Sequence, residues 1–209
     1  MKVLIYSDLH NEFDRFSPPP VDVDVVVLAG DIDVLARGVA WANEFKSEVV
    51  YCCGNHEFYK GHIDRTREKM KAAAAGHVHV LENEVWTIGD VRFIVGTGWT
   101  DFTSTGDLVA ASSVCAREMN DFKMIRAGGA YRRLRPADII ERNHATREFF
   151  SQELAKPFYG KTVVVSHHCP LREAAGDEHE GHISAAYYNN WHGLVDQADF
   201  WIFGHTHRS

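Results

Sequence analysis

Two kinds of hydrophobic pattern alternate along the chain. Residues 3–6, 25–29, 49–52, 163–165 and 200–203 are short apolar, β-branched runs without polar alternation, and they read as strands buried on both faces. Between the second and third runs, Leu35, Val39, Ala42 and Phe45 recur on one helical face, so 35–46 is predicted as a helix and the three segments as a βαβ layer. A second helix is predicted over 60–75, closed by Gly76. Residues 86–88 and 91–95 flank Gly89-Asp90, a two-residue hairpin signal, so the α/β opening passes into antiparallel pairing. Residues 136–154, with proline at the first position, and 184–195 are predicted as two more helices, each leading towards a buried strand. There are no internal repeats and no low-complexity linker, and Pro18, Pro19 and Pro20 read as a loop.

Length and composition narrow the picture. A chain of 209 residues with 45% apolar content suffices for one well-buried domain, taken here as 1–209. The formal net charge of -7 repels polyanions and makes long nucleic acid a disfavoured partner. The opening apolar run reaches Ser7 and Asp8 too soon for a signal peptide, and no later segment is apolar enough to span a bilayer; a cytoplasmic protein without a membrane partner is expected. Cys52 and Cys53 are adjacent and Cys115 and Cys169 stand alone, so neither a disulfide framework nor a thiolate zinc site is suggested. The 13 histidines are the compositional oddity.

Their placement carries the chemistry. Five strand-like segments end in small polar clusters: Asp8 with His10, Asp31 after Gly30, Asn55 with His56 after Gly54, His167 with His168 after Ser166, and His205 with His207 after Gly204. Ligands of α/β sheets bind at strand ends. A pair spaced like Asp8 and His10, or His205 and His207, would project to one side of an extended backbone, and the glycines would allow tight turns and close approach. Asp8, His10, Asp31, Asn55, His167, His205 and His207 offer more oxygen and nitrogen donors than one tetrahedral zinc requires; they suit two ions sharing a carboxylate. A lone Asp at a strand end is more often a turn or cap residue, so it is the set that points to metal.

Asp8-Leu9-His10, Gly30-Asp31, Gly54-Asn55-His56-Glu57, Ser166-His167-His168 and Gly204-His205-Thr206-His207 occur in this order. In that order they resemble the five motifs of the calcineurin-like metallophosphoesterase superfamily. Trp99-Thr100-Asp101-Phe102, Asn120-Asp121-Phe122 and the helix carrying His144 are similar to a small bacterial branch of it. The resemblance implies an α/β (α+β) fold, a β-sandwich of mixed sheets flanked by helices. It implies a hydrolase of small phosphoesters, mono- or diester, using a hydroxide shared by two divalent ions (Mn, Fe, Zn or Co, with Mn favoured). Asp8, His10 and His207 would bind the first ion, Asn55, His167 and His205 the second, and Asp31 would bridge. Of the adjacent pair, His167 follows the strand most directly, with His168 as the alternative register. His56 is expected to protonate the leaving group; its competing role is packing beneath the Gly54 turn.

Other polar clusters admit plainer readings. Glu178, His179, Glu180, Gly181 and His182 read as a solvated loop from which a histidine could reach the substrate, and Asp101, Asn120, Asp121 and His144 suit either a lid or an ordinary helix face and cap. Arg208 stands close enough in sequence to touch phosphate. In the resembling family further strands follow the last motif, whereas only Arg208 and Ser209 follow it here. The sheet is therefore expected to be shortened at the C-terminus, with an open edge near 200–203 that a second copy could cover. The rival functions are a non-catalytic scaffold that has lost its metals, a nuclease, which would need a basic track, and a phosphoprotein phosphatase.

Overall fold

The computed structural model describes residues 1–176 and 180–207. Two four-stranded sheets pack face to face. In the first, β1 (Val3–Tyr6), β2 (Val25–Ala29), β3 (Glu48–Cys52) and β4 (Val78–Leu81) lie in sequence order, all parallel. The second joins β5 (Glu84–Ile88), β6 (Val91–Val95), β9 (Lys161–Val165) and β10 (Phe200–Ile202) in the spatial order β10-β9-β6-β5. Only the β5–β6 hairpin, turning at Gly89 with φ +58°, is antiparallel there. The expected passage into antiparallel pairing thus stops at one hairpin, because the later strands return through helices. A third, minor sheet is the hairpin of β7 (Arg126–Ala127) and β8 (Arg132–Arg133).

The continuous apolar runs find their explanation in four layers. Val25, Val27, Ala29, Val50 and Cys52 meet Phe93, Val95, Val163 and Val165 between the sheets. From the opposite face of the first sheet, Val26, Leu28 and Val49 pack with Val39 and Ala42 of α1 (Arg37–Ala42) and Met70 of α2 (Ile63–Ala73). The outer face of the second sheet sends Ile94 and Val164 against Phe150 and Leu154 of α5 (Pro136–Leu154). Edge strands escape this rule. Val3 and Ile5 of β1 are 38% and 49% exposed, and Phe200 of β10 is 60% exposed, so the expectation that these runs are buried on both faces holds only for the inner strands.

Several predicted helices are shorter. Leu35 has φ +59° and cannot sit in a helix, so α1 starts at Arg37. The His62 imidazole accepts from the N–H groups of Asp64 and Arg65, capping α2 where the pattern predicts its first turn. The helix expected over 184–195 is not one element. It is a 3-10 turn, Gly181–Ala186, then an irregular stretch and the short α7 (His192–Val195). Between them the backbone is committed elsewhere: Asn189 N–H donates to the Cys169 carbonyl and Trp191 N–H to that of Pro170. Three α-helices among the described residues went unpredicted: α3 (Leu108–Glu118), capped by Asp107, α4 (Asp121–Met124) and α6 (Arg172–Ala175). All four cysteines are buried and free, and no helix among the described residues is long and apolar enough to cross a membrane.

Between the outer strands β1 and β10 opens an apolar cleft of about 540 Å³ lined by Val3, Ile5, Phe93, Val163, Phe200 and Ile202. A homodimer covering this edge would make the melting temperature rise with protein concentration, and Phe200→Glu would remove that dependence. Light scattering and concentration-dependent melting check it. A monomer with concentration-independent melting would eliminate the dimer.

Candidate metal centre

Strands β1, β2 and β3 of one sheet and β9 and β10 of the other end at the same rim, and the polar clusters follow those ends. Three groups of side chains offer donor atoms within 4.8 Å of one another: Asp8, His10 and His207; His10, Asp31 and His56; Asp31, His167 and His205. Asp31 stands at the middle. Its Oδ2 is 3.4 Å from His167 Nε2, 3.9 Å from His56 Nε2 and 4.0 Å from His10 Nε2. On one side His10 Nε2 and His207 Nε2 are 3.2 Å apart, with Asp8 Oδ1 3.6 Å from the latter. On the other, His167 Nε2 lies 3.1 Å from both Asn55 Oδ1 and His205 Nδ1. All seven expected donors are therefore gathered, together with His56. His168 is not among them; its ring packs on Trp99 at 5.0 Å, and its Nδ1 lies 3.3 Å from the Thr97 carbonyl.

The backbone that carries these donors is not extended. Asp8, His10, Asp31, His205 and His207 have φ of +52°, +48°, +55°, +67° and +54°. The paired spacing of Asp8 with His10, and of His205 with His207, thus works through left-handed turns beyond the strands, which corrects the geometry inferred from sequence. Such residues cost about 1–3 kcal/mol each and persist where the surroundings over-determine them. The surroundings here are hydrogen bonds: Asp8 N–H donates to the Gly30 carbonyl, His10 N–H to that of Asp31 and Asn11 N–H to that of Ile32, while the Asp8 carboxylate accepts from His205 N–H at 2.9 Å. Gly54 is needed for space, since a Cβ there would strike the Asp31 carboxylate.

Glu57, fully buried, fastens two of the loops. Its Oε2 accepts from Asp31 N–H (3.0 Å) and Gly54 N–H (2.7 Å), and its Oε1 from Ile32 N–H (2.9 Å) and the Tyr51 hydroxyl (2.9 Å). Burial and the charge of Asp31 push its pKa up against these donors. Asp121, buried below Asn55, takes the Asn55 amide N–H₂ at 2.9 Å and the Tyr59 hydroxyl at 2.8 Å, which turns Asn55 Oδ1 towards His167. Glu12 Oε1 lies 2.6 Å from His56 Nδ1 and 3.3 Å from His10 Nδ1.

Sequence reasoning missed these three carboxylates as supports. Glu12 continues the alternate spacing of Asp8 and His10, and Glu57 closes the Gly54 motif, so both carried a signal. Asp121 was read as a lid or cap, and only the fold brings it under Asn55. Of the remaining candidates, Asp101 accepts from Thr103, His144 is exposed on α5, His182 Nδ1 meets the Thr105 hydroxyl, and Glu178, His179 and Arg208 lie outside the described residues.

Electrostatics favour a cation at Asp31. Burial opposes charge on His167, yet the adjacent Asp31 carboxylate outweighs it and holds the imidazole pKa up to about 10. Burial would raise the Asp31 pKa, but His167 and His56 bring it below the usual carboxylate range. The proton on His167 occupies the place a metal would take, because its Nδ1 donates to the Ala29 carbonyl and only Nε2 faces the donors. Carboxylate, amide-oxygen and imidazole atoms converging at 3.1–3.6 Å are a donor set that fits divalent ions.

A match to the calcineurin-like phosphoesterase family covers residues 1–209. The chain belongs to that family. Its members are metal-dependent phosphoester hydrolases, which agrees with the donor set just described. The chain is also 22% identical over 247 residues to uncharacterized protein L509 of Acanthamoeba polyphaga mimivirus, an alignment that covers 99% of this chain and 85% of that one. The crystal structure of phosphopantetheinyl hydrolase from Mycobacterium tuberculosis superposes with a TM-score of 0.71 at 17% identity, covering 99% of this chain and 83% of that one. At that identity the likeness shows a shared phosphoesterase fold, the mixed α/β sandwich expected from the sequence motifs.

Proposed function

We propose that this chain hydrolyses a small phosphoester with two divalent ions, held by Asp8, His10 and His207 on one side and by Asn55, His167 and His205 on the other, with Asp31 between them. The observation that carries the reading is the approach of donors from both sides to Asp31 Oδ2. When bound, such ions neutralise charge on the phosphoryl oxygens and lower the pKa of a water, so no protein nucleophile is required. The chain's own part is to hold the donors and manage the leaving-group proton. Asp31 also receives the His56 N–H at 2.8 Å, which anchors the turn presenting the His56 ring, and that side chain is 19% exposed and open to a substrate. From there Nε2 can deliver a proton to the departing alcohol oxygen, an effect of about 10²–10⁴ in rate.

Manganese is the first ion to test. Protein reconstituted with Mn²⁺ is expected to hold about two ions per chain, as Asp31 lies between two donor groups. It is expected to cleave an aryl phosphate monoester or diester and to lose the activity on chelation; a phosphopantetheinyl ester, the substrate class named for the structural neighbour, belongs in the same panel. Elemental analysis and product release check this. Persistent metal-free protein with no activity would favour a scaffold, and activity confined to phosphoproteins would favour a protein phosphatase.

A further inference from the structure

His56 is held on three sides. Its Nδ1 lies 2.6 Å from Glu12 Oε1, the Tyr59 ring lies against it at 4.2 Å with a 30° tilt, and the His10 ring meets it edge-on at 4.4 Å. An ionised carboxylate oxygen only accepts, so the Nδ1 of the neutral ring carries the hydrogen and Nε2 faces Asp31 Oδ2. The Glu12 side chain is 9% exposed, and its second oxygen is buried without a hydrogen-bond partner among the described residues. Neither Lys nor Arg pairs with Glu12 among those residues; its ion-pair partners are His10 and His56. Nor is it loosely placed. Backbone bonds from Asp8, His10 and Asn11 to the Gly30–Ile32 loop fix the segment, and Phe13 N–H closes a turn onto the His10 carbonyl.

We propose that Glu12 is the positioning residue for His56, fixing its Nδ1–H tautomer and aiming Nε2 at the leaving oxygen, and that it reaches His10 with the same carboxylate. This rests on the phosphoester reading above. In the step it serves, the oxygen of a water bonds to phosphorus and the bond from phosphorus to the alcohol oxygen breaks, its electron pair going to that oxygen. The doubly protonated ring gives its Nε2 proton to the alcohol oxygen, which leaves the neutral Nδ1–H form bonded to Glu12, and the proton given up by the attacking water restores the Nε2–H. A ring free to rotate about χ2, or carrying its hydrogen on the other nitrogen, would perform this poorly.

The discriminating experiment combines Glu12→Met, Glu12→Gln, His56→Ala and the double variant Glu12→Met/His56→Ala. In metal-free protein, nitrogen-15 NMR of the His56 ring is expected to report the Nδ1–H tautomer in the native chain, its loss in Glu12→Met, and its retention in Glu12→Gln, whose amide oxygen can still accept. At matched metal occupancy, Glu12→Met is expected to lower kcat by about 10–100-fold on esters with poor leaving groups and by less on good ones, with partial recovery in Glu12→Gln. In the His56→Ala background the same substitution should cost less than about twofold, because a residue acting through His56 has nothing left to act on. An unchanged tautomer, or an equal loss in both backgrounds, overturns the proposal, the latter by assigning Glu12 to His10 and its ion. If Glu12→Met fails to fold, Glu12→Asp, which withdraws the carboxylate by one methylene, carries the same comparisons. A native protein inactive on every ester would refute the hydrolase reading while the tautomer measurement still decides the role of Glu12.

Discussion

Glu57→Ala is expected to lose about 4 kcal/mol or more of folding stability, the largest effect of any single side chain at this site. The substitution strands three backbone N–H groups and the Tyr51 hydroxyl in the buried interior. Each such group costs about 1–3 kcal/mol, against a total stability of about 5–15 kcal/mol for a typical domain. The damage is also local to function, since the donors belong to the loops carrying Asp31 and Asn55; metal affinity should fall along with stability. Denaturant midpoints and metal titration of Glu57→Ala and the milder Glu57→Gln measure both. A loss under about 1 kcal/mol would mean that the loops hold their shape without the carboxylate.

Asp31→Asn should do the converse, sparing the fold and abolishing the chemistry. The amide oxygen can still accept the His56 N–H, so the turn survives, but the negative charge facing His10, His56 and His167 is gone. Charge stabilisation by ions in such a centre is worth several kcal/mol, and each 1.36 kcal/mol is tenfold in rate; kcat/KM should drop by about 10³ or more, with fewer than two ions retained. Near-native circular dichroism beside lost metal and lost rate is the expected combination. Full stoichiometry with undiminished turnover would remove Asp31 from the centre.

Much of this site could be read from the chain before folding, and for a physical reason. A metal donor set needs particular side chains directly after strands, and Asp8, Asp31, Asn55, His167 and His205 each follow an apolar run within a few residues. Inner strands were equally legible because burial on both faces leaves no polar alternation. What the pattern could not convey was anything set by distant partners. Leu35 and His62 redefine helix starts through backbone angle and capping, the 184–195 stretch gives up helical bonds to reach Cys169 and Pro170, and Asp121 becomes relevant only where the α4 turn packs beneath Asn55. The left-handed angles at five of the donors were hidden for a similar cause: they are imposed by loops bonding to one another.

The donors come from segments far apart in the sequence, Asp8 and His205 being 197 positions apart. A cation gripped there would close a long loop of the chain and tie one sheet to the other at a single rim. During synthesis Asp8, Asp31 and Asn55 leave the ribosome well before His205 and His207, so the complete grip forms only after β10 has docked. Capture of the ion would then act as a ratchet on the finished fold, adding about 2.7 kcal/mol when free ion stands at a hundred times its dissociation constant.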